Sequence, residues 1–408
     1  MNPAAGVDPL FEQMLGLPEF EILDFEQDRY DMVFLLEVKD IPDVCPRCGL
    51  YMPTLTIQKT RAQEIRDLNI LGKCVTLVVK RRYYRYGDCN SMFAEPLQCL
   101  EGRARMTTRL REHLALKARY MPFVDIESEY QISDTTIRKI FLDEVSRLPP
   151  FSELKTPEVL GVDEICLAKD NYHRKQPWAV LADGDENTVM ELLQDRSKVS
   201  VAGLLQSLQN PEAVKVVTMD MWSGYRSAVH ETLPGAMVVV DKFHVVRMAN
   251  DALDSVRRSI TRLGPYTLKK NRAVFLMRED RLSEKGLAVR DDWLEEYPNL
   301  KAAYELKESF FRMYDCNTRT EAERYYQDWT RSIPKELPGF RMICNTVRRS
   351  RCEIFNYFDA PYTNAFVEGL NRAIRVIADQ GCGYDFEVLR GKVLFTAGRK
   401  KGIYKWDA

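Results

Sequence analysis

The stretches VLGVDEICLA (159–168) and VKVVTMD (214–220) decide how the second half of this 408-residue chain folds. Both are apolar runs rich in β-branched residues, as is typical of buried strands, and each carries an aspartate. The surrounding pattern predicts further strands at 178–182, 189–194 and 237–240, and helices at 199–208 and 225–232. The resulting order, β-β-β-α-β-α-β, predicts a mixed α/β sheet.

Asp163 and Asp220 are the first candidate catalytic residues. A three-strand meander followed by a crossover helix brings the fourth strand parallel to the first, so these aspartates, 57 residues apart, are expected side by side. Two close carboxylates repel each other unless a cation lies between them, and hard oxygen ligands suit Mg²⁺ or Mn²⁺. Taken singly, each aspartate also suits a strand-end turn or a helix N-cap.

A helix expected at 364–377 supplies a third carboxylate, Glu368. Its apolar positions follow helical spacing and are expected to face the core: Phe366, Leu370, Ala373, Ile374 and Ile377. The neighbouring polar stripe contains Asn364, Glu368, Asn371, Arg372 and Arg375, which suits a metal ligand beside a DNA backbone. The competing interpretation is an ordinary Glu368–Arg372 helix pair, worth about 0.3 kcal/mol.

The segment VVDKFHVV (239–246) closes the fifth strand. Asp241 is expected as an auxiliary ligand, ranked below Asp220 because its strand should lie one place further from Asp163. His244 is expected to be structural or to face DNA.

A cysteine pair near the N-terminus, CPRCG (45–49), suits one half of a zinc site, since the turn aims both thiolates at one metal ion. The second half is expected at 81–89, where Cys89 is a thiol but Tyr86 stands at the position of a partner cysteine. Three thiolates leave the site short unless Cys74, Cys99 or His113 completes it. The alternative is a β-ribbon held by its apolar core, with reduced cysteines.

Residues 107–147 have the spacing of three helices whose last two form a helix-turn-helix, with breaks at Met121-Pro122 and Gln131-Ile132. Ser133 is expected as an N-cap, and Ile137, Ile140 and Phe141 as inward-facing residues. The outward positions, where a DNA major groove would be read, are then Thr135, Thr136, Arg138 and Lys139. A plain helical bundle is the competing interpretation.

Charge is segregated along the chain, although 59 basic and 60 acidic residues give a net charge of only −1. The first 50 residues are acidic, whereas 51–120, 242–285 and 341–401 are basic, which favours a polyanionic partner held at several points. The basic, tyrosine-rich strand at 80–86 is the expected phosphate-contacting strand, through Lys80, Arg81, Arg82 and Arg85.

These patterns predict an acidic N-terminal segment (1–40) with a short helix near 11–15, a small β module (41–100), a helical module (105–148) and a large α/β domain (155–400). Residues from about 250 to 358 are expected as a helical insertion in that domain. The sequence contains neither a long apolar run nor a secretion-signal pattern, and its ten cysteines are dilute, so we expect a cytoplasmic protein without a membrane partner. A cofactor-dependent small-molecule enzyme is disfavoured because no Gly-rich phosphate loop occurs.

Taken together, the chain resembles the ISL-three group of insertion-sequence transposases, which carry a DDE catalytic domain. The resemblance runs from Cys45 to about Phe395. It rests on the order and spacing of CPRCG (45–49), IRDLNILGK (65–73), RRYYRYGDC (81–89), GVDE (161–164), TMDMWSGY (218–225), VVDKFHVV (239–246) and TNAFVEGLNRAIRVI (363–377).

The resemblance implies a zinc-ribbon-like module, a helix-turn-helix and a ribonuclease-H-like domain interrupted by helices. Asp163 and Asp220 match the family's two aspartates, and Glu368 matches its glutamate. It further implies two Mg²⁺ or Mn²⁺ ions, with Asp163 bridging both, and Arg372 and Arg375 near the scissile phosphate. The implied partners are double-stranded DNA, as terminal inverted repeats and as target, and a second copy of the chain on DNA, at the bacterial nucleoid.

Two other functions compete with transposition. One is a non-catalytic DNA-binding regulator derived from a transposase, and the other is a ribonuclease-H-like nuclease that cuts branched DNA or RNA hybrids. The acidic trio argues against the first, and the N-terminal DNA-reading modules argue against the second.

Overall fold

The computed structural model describes residues 9–51, 55–87, 91–102, 104–169, 175–262, 265–381 and 383–398. The chain divides into two compact units between Leu148 and Pro149. This boundary lies at the start of the proline-rich stretch 148–157.

The first unit begins with a five-stranded sheet, and a short helix packs into its core. The elements are α1 (Pro9–Leu15), β1 (Phe20–Gln27), β2 (Asp31–Val38), β3 (Leu55–Ile70), β4 (Lys73–Tyr86) and β5 (Ser91–Ala94). The strand order is β1-β2-β4-β3, with β5 also paired to β4. The short helix was predicted, but β1 and β2 were not, because their acidic exposed faces obscure the buried alternation of residues such as Phe20 and Ile22.

Strands β3 and β4 form one long antiparallel hairpin. Its turn is Leu71-Gly72, where both residues have positive φ (51° and 76°), a conformation that a tight hairpin requires and that glycine adopts without strain. The strand predicted at 80–86 is the second half of β4, which begins at Lys73.

Three helices complete the first unit: α2 (Thr108–Tyr120), α3 (Phe123–Tyr130) and α4 (Asp134–Val145). The predicted breaks are confirmed, with Gln131 in the left-handed region at φ 54° and Ser133 capping α4. The helices are tied to the sheet through the buried carboxylate of Asp67, which accepts hydrogen bonds from Thr107 Oγ1 (2.6 Å) and Arg109 Nε (2.8 Å).

The second unit contains the predicted mixed sheet. Its elements begin with β6 (Val159–Lys169), β7 (Lys175–Asp183), β8 (Thr188–Leu193), α5 (Lys198–Gln206), β9 (Val216–Met219), α6 (Ser223–Thr232) and β10 (Met237–Val240). The order is β10-β9-β6-β7-β8. Strands β6, β9 and β10 are parallel and β6–β7–β8 antiparallel, as the meander and crossover predicted. Helices α5 and α6 pack on the sheet through Val201, Leu205, Tyr225 and Val229.

The described residues between 242 and 358 are mostly helical, as expected, although the helices begin before residue 250. They are α7 (Lys242–Thr261), α8 (Tyr266–Lys270), α9 (Arg272–Leu276), α10 (Glu284–Glu296), α11 (Pro298–Arg312), α12 (Arg319–Ser332), α13 (Pro338–Arg349) and α14 (Arg351–Phe355). This part has its own apolar core, which includes Leu253, Phe310, Trp329 and Phe340. Because these helices bury their apolar residues in a core of their own, a long helical segment can lie in the chain between strand β10 and the last two helices.

Two helices end the unit, α15 (Ala365–Gln380) and α16 (Phe386–Thr396). The first was predicted at 364–377, whereas α16 was not predicted and lies within the basic stretch 341–401. Helix α16 buries Val388, Leu389 and Val393, and an ion pair of 2.5 Å joins Arg390 to Glu191 on β8. In the described parts of the chain, no helix is both long and apolar enough to cross a membrane.

Candidate active site

Three residues lie side by side on the three parallel strands, and each is followed in the chain by an aspartate. Val162 on β6 pairs with Met219 on β9, and Met219 pairs with Val240 on β10. The residues that come next in the chain are Asp163, Asp220 and Asp241. The sequence therefore placed Asp163 beside Asp220 correctly, and it also placed Asp241 correctly on the next strand out.

These aspartates line a cavity of about 520 Å³ that helix α15 also borders. Two further carboxylates line it, Glu164 and the predicted third residue, Glu368. The other charged lining residues include the predicted Arg375 and His244, together with Arg247, which sequence reasoning missed. Arg247 lies six residues after Asp241, in the first turns of α7. It comes three residues after His244, so helical spacing places both on one face, and this spacing could have indicated Arg247 from the sequence. Arg372 is exposed and is not among the lining residues.

Helix α15 is held on the sheet by buried asparagine side chains. Asn364 Oδ1 accepts a hydrogen bond from Thr218 Oγ1 (2.9 Å), and its Nδ2 donates to the carbonyl of Val162 (3.4 Å). The backbone N–H of Asn364 donates to Asp241 Oδ1 (3.3 Å). The helix therefore begins at a fixed point over the ends of the strands.

The buried face of α15 differs from the predicted one. The structure buries Asn364, Val367, Asn371 and Ile374, whereas Ala373 is exposed and Phe366, Leu370 and Ile377 are only partly buried. The prediction ranked positions by hydrophobicity, and it is confirmed for Ile374 and wrong for Ala373. It missed Asn364 and Asn371, because these two asparagines find hydrogen-bond partners on the sheet. Glu368 is exposed at the cavity.

Gly161 allows α15 to approach β6 closely. A Cβ atom at this position would lie 2.5 Å from Val367 Cγ2 and 2.6 Å from Phe366 Cζ. Any side chain at residue 161 would therefore displace Val367 and Phe366, the side chains through which the helix that carries Glu368 packs on β6.

Asp163 is buried, and its carboxylate is oriented from two sides. Asn371 Nδ2 donates to Oδ2 (2.9 Å), and the backbone N–H of Glu164 donates to Oδ1 (2.8 Å). Burial raises the pKa of Asp163 to about 6, and the negative charges of Asp220 and Asp241 act in the same direction. A cation placed among these carboxylates would remove that unfavourable energy.

His244 lies against Asp241, with Nδ1 3.5 Å from Oδ2. The contact with the carboxylate of Asp241 raises the pKa of His244, and the nearby Asp220 and Asp163 contribute to the rise. Protonated His244 would partly offset the negative charge of the cavity.

The donor set of the cavity consists of carboxylate oxygens, which suit a hard divalent cation such as Mg²⁺ or Mn²⁺. Over the described ranges, however, no group of three or more His, Cys, Asp or Glu side chains is arranged closely enough to hold a metal ion as it stands. Glu368 is the exposed member of the set, so its side chain has freedom to rotate.

The predicted zinc ligands lie in the first unit. Cys45 is buried, Cys48 is exposed, and Cys89 lies outside the described residues. A contact of 3.5 Å joins Cys45 Sγ to Ser91 Oγ, and this hydrogen bond is the largest factor that lowers the pKa of Cys45 to about 6. Tyr86, at the expected cysteine position, packs against Cys45.

The predicted DNA-contacting residues occupy different environments. Lys80 and Arg85 are exposed on β4, as are Thr135, Arg138 and Lys139 on α4, while Thr136 is half-buried. Arg82 is instead engaged within the fold, because its guanidinium pairs with buried Glu95 (2.6 Å) and donates to the carbonyl of Val38 (2.7 Å). Arg81 donates to the carbonyl of Glu95 (2.7 Å) and to Gln63 Oε1 (2.9 Å).

Comparison with known proteins points to one family. The family model for ISL-three DDE transposases, described as "Transposase", matches residues 160–393. A relative described as "Transposase for insertion sequence element IS1001", from Bordetella parapertussis, is 23% identical over 356 residues, which cover 84% of this chain and 85% of the relative. "Transposase for insertion sequence element IS1557", from Mycobacterium tuberculosis, is 23% identical over 278 residues, or 61% of each chain. The family match includes Asp163, Asp220 and Glu368.

Proposed function

The chain belongs to the ISL-three family of transposases, and from that premise we propose that it moves an insertion sequence by cutting and rejoining DNA. It would bind the terminal inverted repeats of the element, hydrolyse the phosphodiester bond at each end, and join the freed 3′-hydroxyl groups to target DNA. The two sheets and many helices form a mixed α/β protein. We propose that the second unit is a ribonuclease-H-like domain with a helical insertion.

The observation that carries this proposal is the meeting of three acidic residues from distant parts of the chain. Asp163 and Asp220 follow registered residues on adjacent parallel strands, and Glu368 reaches the same cavity from α15. A cluster of buried or partly buried carboxylates destabilises a protein unless it binds a cation or a proton. Such a cluster is therefore better explained by function than by stability.

We propose that Asp163, Asp220 and Glu368 hold two Mg²⁺ or Mn²⁺ ions, with Asp241 as an auxiliary ligand. Bound there, the ions would polarise the attacking oxygen and stabilise the leaving one. Asn371 holds the Asp163 carboxylate through its amide N–H, which limits rotation of this buried ligand. Arg375 lines the cavity, and with Arg372 on the same helix it would attract the phosphates of the bound strand.

The first unit is proposed to recognise the element's ends. Helices α3 and α4 would act as a helix-turn-helix, with Thr135, Thr136, Arg138 and Lys139 directed to the major groove. Zinc bound by Cys45, Cys48 and Cys89 remains a prediction that a metal analysis of the purified protein would test. Because two element ends must be cut together, a homodimer on DNA is expected.

The proposal is tested by a strand-cleavage assay on labelled duplexes carrying the DNA that flanks the gene. The wild type, Glu368→Gln and Asp379→Asn would be compared with Mg²⁺ or Mn²⁺. Asp379 is an exposed acid on the same helix and loses the same charge, so it serves as the matched control. Nicks at a fixed repeat boundary are expected from the wild type and the control, and none from Glu368→Gln.

The other outcomes separate the competing functions. Tight binding of the ends without cleavage by any of the proteins would favour the regulator. Cleavage of branched DNA or of RNA hybrids in preference to the element ends would favour a structure-specific nuclease. Normal cleavage by Glu368→Gln would remove this glutamate from the site.

A further inference from the structure

The first unit contains a second large cavity, of about 1200 Å³, formed by β3, β4, β5 and the segment before α2. Five basic side chains line it: Lys59, Arg61, Arg66, Arg81 and Arg105. Among the described lining residues, Glu64 is the one acidic side chain. We call this surface the basic groove. Its charge is opposite to that of the cavity in the second unit.

The charges of the basic groove are not neutralised within the fold. Elsewhere in the same unit arginines form ion pairs, such as Arg82 with Glu95 (2.6 Å) and Arg111 with Asp143 (2.8 Å). Within the described part of the chain, none of the five groove residues forms a salt bridge. Arg66 donates to neutral acceptors, the carbonyl of Tyr130 (2.9 Å) and Thr76 Oγ1 (3.3 Å), so it keeps its full charge.

The groove is accessible and partly rigid. Lys59, Arg61 and Arg105 are exposed. The ammonium group of Lys59 lies 4.8 Å from the ring centroid of Tyr83, which also lines the groove. A lysine whose ammonium group is already held over an aromatic ring loses less conformational freedom on binding an anion than a lysine without such a contact. A concave surface with accessible cations is complementary to a polyanion.

Resting on the proposed function, we infer that the basic groove binds the sugar–phosphate backbone of duplex DNA at the element's ends. Long basic side chains on a strand edge contact phosphates, which fix position and supply affinity without reading sequence. Arg66 also joins the groove to α3 through the Tyr130 carbonyl, in the same compact unit as α4. The groove therefore supplies non-specific affinity, and α4 supplies the sequence preference.

The test is the double variant Lys59→Gln/Arg61→Gln in the full chain, with Arg105→Gln as an independent variant from another segment. The matched control is Arg29→Gln, which like Arg105→Gln removes one exposed positive charge, at a position beside β2 in the same unit that does not line the groove. Fluorescence anisotropy would measure binding between about 50 and 200 mM salt. The probes are a duplex from an element end, a scrambled duplex, and an RNA duplex of the same sequence.

The groove variants are expected to bind both DNA duplexes at least tenfold more weakly at about 0.1 M salt, with the salt slope reduced by about 1 for each phosphate that the protein no longer binds. The weakening should be equal for the two DNA sequences, and the control should bind within about twofold of the wild type. Unchanged thermal unfolding would confirm that the variants fold.

Three results would overturn the inference: groove variants that bind DNA normally, a weakening confined to the element end, or a weakening confined to the RNA duplex. If the wild type cleaves element ends while the groove variants bind them normally, the groove assignment alone fails. If the wild type neither binds nor cleaves these duplexes, the proposed function fails as well.

Discussion

Replacement of Gly161 by alanine tests whether close packing of α15 on β6 positions Glu368 in the cavity. The new Cβ atom would lie 2.5 Å from Val367 Cγ2 and 2.6 Å from Phe366 Cζ. Carbon atoms in contact pack at about 3.5–4.0 Å, so the side chains of Val367 and Phe366, or α15 together with them, must move by about 1 Å to relieve the clash. Overpacking of this kind lowers the free energy of unfolding by about 1–3 kcal/mol.

The effect on catalysis should be larger than the effect on stability, because a misplacement of about 1 Å in a catalytic group can reduce the rate about 100-fold. Urea denaturation would measure the unfolding free energy of Gly161→Ala, and the strand-cleavage assay would measure its rate under conditions where it is fully folded. Gly203→Ala is the control, since a Cβ at Gly203 in α5 meets no atom within 4 Å. It should stabilise the protein by about 0.5–1 kcal/mol and leave cleavage unchanged.

A second variant separates strain from simple loss of stability. Truncating the nearest contact in Gly161→Ala/Val367→Ala removes the Cγ2 atom and leaves the contact with Phe366 Cζ, so cleavage should recover in part relative to Gly161→Ala even though the protein has lost a buried valine. A folded Gly161→Ala protein that cleaves at the wild-type rate would refute the reasoning that this contact positions Glu368.

Three further predictions concern single side chains. Asn371→Ala removes the amide that orients Asp163, so the Mg²⁺ concentration needed for half-maximal cleavage should rise about 10–100-fold; an unchanged Mg²⁺ titration would contradict this. Arg82→Gln leaves Glu95 buried without its cation, so it should lower the free energy of unfolding by about 3–5 kcal/mol. Urea denaturation would measure this, and a decrease below about 1 kcal/mol would argue against a buried ion pair. Burial lowers the pKa of Lys392 from 10.5 to about 8, so the folded state loses this proton at a lower pH than the unfolded state does. The free energy of unfolding should therefore increase by about 3 kcal/mol as the pH rises from 8 to 10.5. Lys392→Met should lack this increase, and equal dependence of the unfolding free energy on pH in the two proteins would disprove the prediction.

The order of elements in the second unit was predictable because it depends on local patterns and on simple rules of chain connection. Strand β10 lies at the predicted residues 237–240, and the predicted meander and crossover place β9 beside β6. Alternation and apolar runs are local signals, and a crossover between parallel strands has few solutions. The juxtaposition of Asp163 and Asp220 could therefore be predicted from sequence.

The buried face of α15 was not predictable from hydrophobicity. Asn364 and Asn371 are buried because their amides bond to Val162, Thr218 and Asp163, and Asn371 is 208 residues from Asp163 in the chain. The same reason applies to Arg82 in the first unit, which looked like a DNA-contacting residue by composition. A buried polar group is stable only when its partners are present, and those partners come from other elements.

The strands of the mixed sheet and the helices between them, the pairing of two aspartates at neighbouring strand ends, and the family resemblance all follow from the amino-acid sequence alone. Three features depend on how the elements pack: Asp241 follows a residue in register with those before Asp163 and Asp220, Arg247 reaches the cavity, and Gly161 lets α15 approach. Periodicity is a property of adjacent residues, so it can be read along the chain. Register, close approach and hydrogen-bond partners are set between residues distant in sequence, so they emerge only in the folded protein.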